Sequence, residues 1–329
     1  MPKLSVIVPV YNADKTLKAC LESIRKSKFK DYELIVIDDG SVDGSLRIAQ
    51  KCADKVISLP YNQGRVKARN KGVRVVNSPV VVNIDSDVVI KPDTLMQIDD
   101  YFHRHTEVDA ITGMLAIPDK NYSFVTDYKN CYMNYYFSIL PKEVSFLYGS
   151  IFAIRERVLN KYKNNSVAQI ADDTEIGQRI LTQGHQIHLL KSLQVIHLKT
   201  FTIWSLIKND WQIPYDWAQI FLKFQGWKQL GKYHTGYAHA AKSQIVSLLL
   251  VPNIWFLLLL SLFVQSLVVI PLVLILGWLM INRGFFIFLY RKKGLNFLIP
   301  ALIFTFFDHL VMFAGVMTGS IVYFITRIT

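Results

Sequence analysis

The stretch Val80-Val81-Val82-Asn83-Ile84-Asp85-Ser86-Asp87 decides how this chain is read. Its apolar start has the length and β-branched composition of a buried strand, and it ends in two carboxylates one residue apart. On an extended backbone alternate side chains share a face, so Asp85 and Asp87 are expected to point the same way. Two hard oxygen ligands at a strand end make half a site for Mg²⁺ or Mn²⁺, whose remaining ligands come from water and substrate phosphates. Alone, the spacing is a weak signal, because paired acids also occur in surface turns.

Upstream residues supply the context. Leu4-Ser5-Val6-Ile7-Val8-Pro9-Val10-Tyr11-Asn12 is an apolar run of strand length that stops at a loop signal. Leu17, Leu21 and Ile24 then follow helical spacing within 14–26, with Asp14 placed as an N-cap. A second strand, Leu34-Ile35-Val36-Ile37, is closed by Asp38-Asp39-Gly40-Ser41. Strands alternating with helices of this length predict an α/β fold, a mainly parallel sheet covered on both faces. In such sheets ligands bind beyond the carboxyl ends of the strands. Pro9, Tyr11, Asp39, Asp85 and Asp87 all fall at such ends and are expected to converge on one crevice.

Several separated motifs carry a family resemblance: SVIVPVYN from Ser5, IDDGSVDGS from Ile37, NQGRVKARNKG from Asn62, the Asp85-Ser86-Asp87 pair, and ADDTEIGQRI from Ala171. In order and spacing they resemble the family 2 glycosyltransferases of the GT-A fold, over roughly residues 4 to 200. The resemblance implies transfer of a sugar from a nucleotide sugar, UDP-linked in the first instance, with inversion at the anomeric carbon. It implies that Asp39 meets the edge of the base, that Pro9, Tyr11 and Asn12 line the same pocket, and that Arg69 lies near the donor. A turn with a helix N-cap is the bland reading of Asp39. Asn62 to Arg65 opens a helix whose positive end is suited to phosphate.

A divalent cation stabilises charge on a departing diphosphate. Asp87 is the expected direct ligand of Mn²⁺ or Mg²⁺, with Asp85 binding the sugar or completing the shell. His197 follows an apolar run, and the family has a His near this point, as a metal ligand or a phosphate contact. A lone His beside apolar residues also suits a satisfied core position. Inversion in one displacement needs a general base for the acceptor hydroxyl, and the motif favours Asp173. Asp172 and Glu175 are read as helix-start acids, Asp172 on the acceptor side. Three acids at one helix start repel one another, while the helix dipole acts the opposite way. Gly149 and Ser150, within Tyr148-Gly149-Ser150-Ile151-Phe152, shape the floor of the acceptor site by resemblance.

The other half of the sequence differs in kind. All six Trp residues lie after residue 200, and Ser243 to Asn282 contains no charge, about twice the ~20 residues of one crossing. The expected organisation is a catalytic domain over 1–200, amphipathic interfacial helices over 201–242 and a membrane domain over 243–329. Spans are expected near 245–264, 266–282 and 303–326, with Asp308 and His309 at the headgroup end of the third. Arg283, Arg291, Lys292 and Lys293 form a basic loop, which places the catalytic domain in the cytosol by the positive-inside rule. No amino-terminal signal segment is expected, since the first apolar run is short and belongs to a strand. Three Cys without CxxC spacing suit a reducing compartment. Ile203, Trp204, Ile207 and Trp211, then Trp217, Ile220, Phe221, Phe224 and Trp227, follow helical spacing among lysines, as membrane-surface helices do. The net charge of +12 fits an anionic membrane rather than nucleic acid, for which no motif is present.

These features point to a membrane enzyme that adds one sugar to a lipid or lipid-linked glycan at the cytosolic leaflet. Processive relatives carry Gln-x-x-Arg-Trp, whereas Gln212-Ile213-Pro214-Tyr215-Asp216-Trp217 lacks the Arg. Polyprenyl-phosphate sugar transferases, the alternative, continue their Asp-x-Asp differently from Val88-Val89-Ile90-Lys91-Pro92. A dinucleotide oxidoreductase would need glycines where Pro9-Val10-Tyr11-Asn12 stands. A silent scaffold with a GT-A fold would have no need of all these acids.

Overall fold

The computed structural model describes residues 1–159, 172–228, 236–237 and 240–328. They form two units: Met1–Pro118 with Pro141–Lys199, and Asp119–Leu140 with Thr200–Thr329.

The first unit is built on an eight-stranded sheet. Its strands are β1 (Leu4–Val10), β2 (Tyr32–Asp38), β3 (Lys55–Ser58), β4 (Val80–Ile84), β5 (Val88–Val89), β6 (Ala110–Leu115), β7 (Ile151–Arg155) and β8 (Ile187–His197). The spatial order is β3-β2-β1-β4-β7-β6-β8-β5. The runs read as buried strands are such: every residue of β1 and β4 is buried. β1, β2, β3 and β4 pair in parallel, as expected from helical crossovers. β7 departs from that expectation and runs antiparallel to both β4 and β6. The sheet is therefore mixed, with parallel pairs in the majority.

Four helices alternate with the first strands: α1 (Asp14–Arg25), α2 (Ser45–Cys52), α3 (Arg65–Val73) and α4 (Thr94–Arg104). Leu17, Leu21 and Ile24 form the buried face of α1, as their spacing predicts. Asp14 is the first helical residue rather than the cap. Its backbone N–H is taken by Asp43, and the N–H of Ala13 by Ser45, so the start of α2 and the residue pair before it do the capping.

The second unit is helical. It contains α5 (Phe124–Ile139), whereas α6 (Glu156–Leu159) and α7 (Asp172–Thr182) belong to the first unit. It continues with α8 (Ile203–Lys223), α9 (Lys242–Ser261), α10 (Val269–Lys293) and α11 (Leu295–Ile328). Among the described residues, three helical stretches are long and apolar enough to cross a bilayer: Lys242–Ser261, Gln265–Lys293 and Leu295–Thr326. The second and third exceed the spans drawn from hydropathy. α10 keeps its basic end, where Arg291, Lys292 and Lys293 complement the carbonyls of the last turn. α11 starts at Leu295 rather than 303, which puts Asp308 and His309 well inside the helix and not at its entrance.

Both are buried, and their surroundings explain how. Lys129 of α5 forms an ion pair with Asp210 of α8, and Asp308 lies beside that pair and Tyr128. His309 accepts a hydrogen bond from the Trp278 indole at 3.1 Å. The aromatic run of α5 is packed core: Tyr128, Tyr132 and Tyr136 all meet Phe285. The two helical patterns in 201–228 are largely one helix, continued through Pro214 to Lys223. α8 lies along α11, where Gly315 faces the Trp211 carbonyl and Gly319 the Tyr215 carbonyl. Both pairs advance by four residues, so the helices run the same way with small residues at their contact.

Candidate active site

The crevice beyond β1, β2 and β4 is an open cleft of about 270 Å³ lined by Pro9, Val10, Tyr11, Asp39, Asn62, Arg65, Ala68, Asp85, Ser86 and Asp87. The strand-end residues singled out in the sequence are thus brought together. Asn12 sits just beyond β1 with φ 47°, a conformation Asn tolerates better than most residues. Its side chain accepts the N–H of Val42 at 2.9 Å, and its own N–H goes to Ser41 Oγ at 3.0 Å.

Asp39 is 2% exposed, and both carboxylate oxygens accept backbone N–H groups, from Gln63 and Gly64, each at 2.8 Å. Its visible work is to pin the loop that opens α3. The N-cap Gly64 of α3 therefore has its N–H already engaged, as does Gln63 before it.

Asp85 and Asp87 both line the cleft but take different partners. β4 ends at Ile84 and the chain turns, with the N–H of Val88 donating to the Asp85 carbonyl at 3.2 Å, so strand alternation does not apply. Asp85 points to α3: Arg69 Nη2 lies 2.8 Å from its Oδ1, and Arg65 Nη1 4.0 Å from its Oδ2. Asp87 points to β8, because β5 pairs antiparallel with β8 in the register Val88↔His197. This places Asp87 Oδ2 3.5 Å from His197 Nε2. Burial holds His197 below its ordinary pKa, against the upward pull of Asp87 and Asp85. Burial thus favours its neutral imidazole, the form that binds metal.

Among the described residues no group of three or more His, Cys, Asp or Glu is arranged to hold a metal ion. Asp87 and His197 nevertheless offer one carboxylate oxygen and one neutral nitrogen side by side. That donor set fits Mn²⁺, and also Mg²⁺ where substrate phosphates complete the shell.

Asp173 reaches the same place from the opposite side. α7 packs tightly on 146–147, where a Cβ on Gly177 would lie 2.8 Å from Phe146 Cα. Gln178 donates to the Ser145 carbonyl at 2.6 Å. So anchored, Asp173 Oδ2 accepts the Gly149 N–H at 2.8 Å, and its Oδ1 accepts the N–H of Thr174 at 2.8 Å. Glu175 is buried and paired with Arg179 at 2.7 Å. Asp172 begins α7, but its side chain lies outside what is described, as does Ala171.

Gly149 connects these groups. Its carbonyl accepts from Asn83 Nδ2 at 3.0 Å and faces Arg69 Nη2 at 3.4 Å. Buried Ser150 gives its carbonyl to the Asp85 N–H at 3.3 Å. Tyr148 adds a phenol whose pKa is raised by burial and by the carboxylates of Asp85, Asp173 and Asp87. Asn83 was not singled out from the sequence, although a lone amide inside an apolar strand was the available signal.

Residues 5–163 match the family model "Glycosyl transferase family 2". Glycosyltransferase GlyA of Streptococcus pneumoniae is 25% identical over 228 residues, 64% of this chain and 32% of that protein. GlyG of the same organism is 28% identical over 172 residues, 51% of this chain and 54% of that protein. The chain thus matches between a third and about half of these two relatives' lengths. The mannosyltransferase PcManGT of Pyrobaculum calidifontis, solved with GDP-Man and Mn²⁺, superposes with a TM-score of 0.60 at 15% identity, over 99% of this chain and 88% of that one. The strand-end cleft, the motif order and these likenesses agree that the chain carries a glycosyl transferase family 2 domain with the GT-A fold, accompanied by three apolar helices of membrane-spanning length.

Proposed function

We propose that this protein is a membrane-bound, inverting, non-processive glycosyltransferase. It moves one sugar from a nucleotide sugar, UDP-linked in the first instance, to a lipid or lipid-linked glycan at the cytosolic leaflet. The observation that carries this reading is Gly149, which has Asp173 on its N–H and Asn83 and Arg69 on its carbonyl. A prospective base and, through Arg69, the donor-side acid Asp85 are thereby registered to the backbone of one residue.

In the reaction, the acceptor hydroxyl oxygen bonds to the anomeric carbon as the bond from that carbon to the diphosphate oxygen breaks. The hydroxyl proton passes to the Asp173 carboxylate, and the nucleoside diphosphate leaves. The Gly149 and Thr174 N–H groups orient that carboxylate. Pro9, Tyr11 and Asn12 form the pocket wall, and Asp39 braces the opposing loop and presents its edge to the base. Arg69 holds Asp85, which is placed for the sugar. A divalent cation held by Asp87 and His197 would offset the charge developing on the leaving diphosphate. Gly149 and Ser150, with Asp172, belong to the acceptor side. The lysine and arginine residues ending α10 support a cytosolic catalytic unit by the positive-inside rule.

The test is to incubate detergent-solubilised protein with Mn²⁺ or Mg²⁺, membrane lipid extract and labelled nucleotide sugars, UDP- and GDP-linked. Wild type should place label in the organic phase, and EDTA should abolish it. Asp173→Asn should lower turnover by about 10²–10⁴-fold while still binding nucleotide. Nucleotide release without lipid label would move the acceptor to a soluble glycan or protein. No turnover with any donor would favour a scaffold.

A further inference from the structure

Asn83 is the one polar residue of β4. It stands between Ile7 of β1 and Phe152 of β7 in the sheet register and is 3% exposed. Asn is depleted in strands, where β-branched apolar side chains fit better. Half of its amide is also unmet, since Oδ1 is enclosed with no hydrogen-bond partner among the described residues. An unpaired buried polar atom lowers stability. A residue that breaks the local rule in this way, without serving the fold, marks a functional constraint.

What the amide does hold is the Gly149 carbonyl, which accepts from Nδ2 at 3.0 Å. The opposite amide orientation would set oxygen against oxygen, so chemistry fixes the place of the nitrogen. Tyr148-Gly149-Ser150-Ile151 is a turn, closed by the Ile151 N–H on the Tyr148 carbonyl at 3.1 Å. Thr112 Oγ1 accepts the Tyr148 N–H at 2.8 Å. These bonds secure the ends of the turn. Inside it stands a glycine, the residue whose backbone rotates most freely. Its carbonyl has Asn83 and, at 3.4 Å, an Arg69 whose charge lies on Asp85 at 2.8 Å. Its N–H meets Asp173 Oδ2 at 2.8 Å.

We propose that Asn83 is a positioning residue for the transfer reaction. By holding the Gly149 carbonyl it keeps the Gly149 N–H aimed at Asp173, and so sets where the carboxylate that takes the acceptor proton stands. This rests on the reading of Asp173 as the base. Stability and turnover therefore respond to this position in opposite senses.

The experiment uses the full chain in detergent with Mn²⁺ or Mg²⁺, lipid extract and the labelled UDP- or GDP-sugar that wild type turns over. Asn83→Leu, close to Asn in size, should lower kcat about 10-fold or more, as a misplaced base would. Its donor KM should stay within about 2-fold of wild type, and its thermal unfolding midpoint should be unchanged or raised. Asn83→Asp keeps the shape and gives a second readout. Its carboxylate cannot donate to the Gly149 carbonyl, whereas its protonated form can. Asp173, Arg69 and Asp85 gather around Gly149, with the Tyr148 phenol beside them. They titrate in wild type too, so the variant is read as its ratio to wild type at each pH. That ratio should rise as pH falls. Wild-type kcat in Asn83→Leu, stability lost in step with turnover in that variant, or a flat ratio for Asn83→Asp would each overturn the assignment. Wild type without turnover on any donor would sink the transferase reading itself, and Asn83 with it.

Discussion

The sheet unit holds Asp85, Asp87 and Asp173 around an open cleft, whereas the helical unit buries Asp210 and Asp308 between helices. Asp87 is about a third exposed, while Asp210 is 1% exposed. In the cleft each acid has a partner from another element: Asp85 has Arg69, Asp87 has His197 and Asp173 has Gly149. In the helical unit Lys129, Asp210 and Asp308 meet one another away from water. Acids beside solvent can exchange partners with a ligand at modest cost. Buried ones cannot, because desolvation makes any unpaired charge expensive. The difference separates groups placed for chemistry from groups that fix how helices dock.

The comparison breaks most visibly if the buried set proves dispensable. Lys129→Met leaves Asp210 without its cation and should lower the stability of the detergent-solubilised protein by about 3–5 kcal/mol. Lys129→Met with Asp210→Leu should recover most of that in thermal unfolding. A single variant as stable as wild type would show that the pair is not what joins α5 to α8. The cleft predicts the opposite signature. On Gly149→Ala, the new Cβ would lie 2.7 Å from Asp173 Oδ2 and 3.4 Å from Arg69 Nη2. Turnover should fall about 10²-fold, as a misplacement near 1 Å can cause, with the unfolding midpoint nearly unchanged. Full activity in that variant would remove Gly149 from the catalytic geometry. The smallest effect is expected at the contact of α8 with α11. Gly319→Ala would overlap the Tyr215 carbonyl and should cost about 1–3 kcal/mol through overpacking. Loss of activity without loss of stability there would mean that this contact bears on the chemistry as well.

Much of the sheet was legible because fully buried strands read as continuous apolar runs, as Leu4–Val10 and Val80–Ile84 do. The crevice followed, since ligands gather beyond the carboxyl ends of such strands. The split between Asp85 and Asp87 was not legible, because it depends on a turn after Ile84 and on the pairing of Val88 with His197. Neither leaves a local pattern. The loop-bracing role of Asp39 was hidden for the same reason, as its partners arrive from the loop before α3. The aromatic helix Phe124–Ile139 belongs with the C-terminal helices although it lies inside the catalytic stretch of the sequence. Composition along the chain cannot report such a return. Asp308 was placed at a span entrance because an acid inside a span is costly. Its offsetting neighbours come from α5 and α8, far away in sequence.

Gly149 also carries a consequence for how this chain can vary. Every replacement of this glycine adds a Cβ, and here that atom would press on the Asp173 carboxylate at 2.7 Å while meeting Arg69 and Asp85 at ordinary contact distance. Any side chain at 149 is therefore coupled first to the placement of the prospective base.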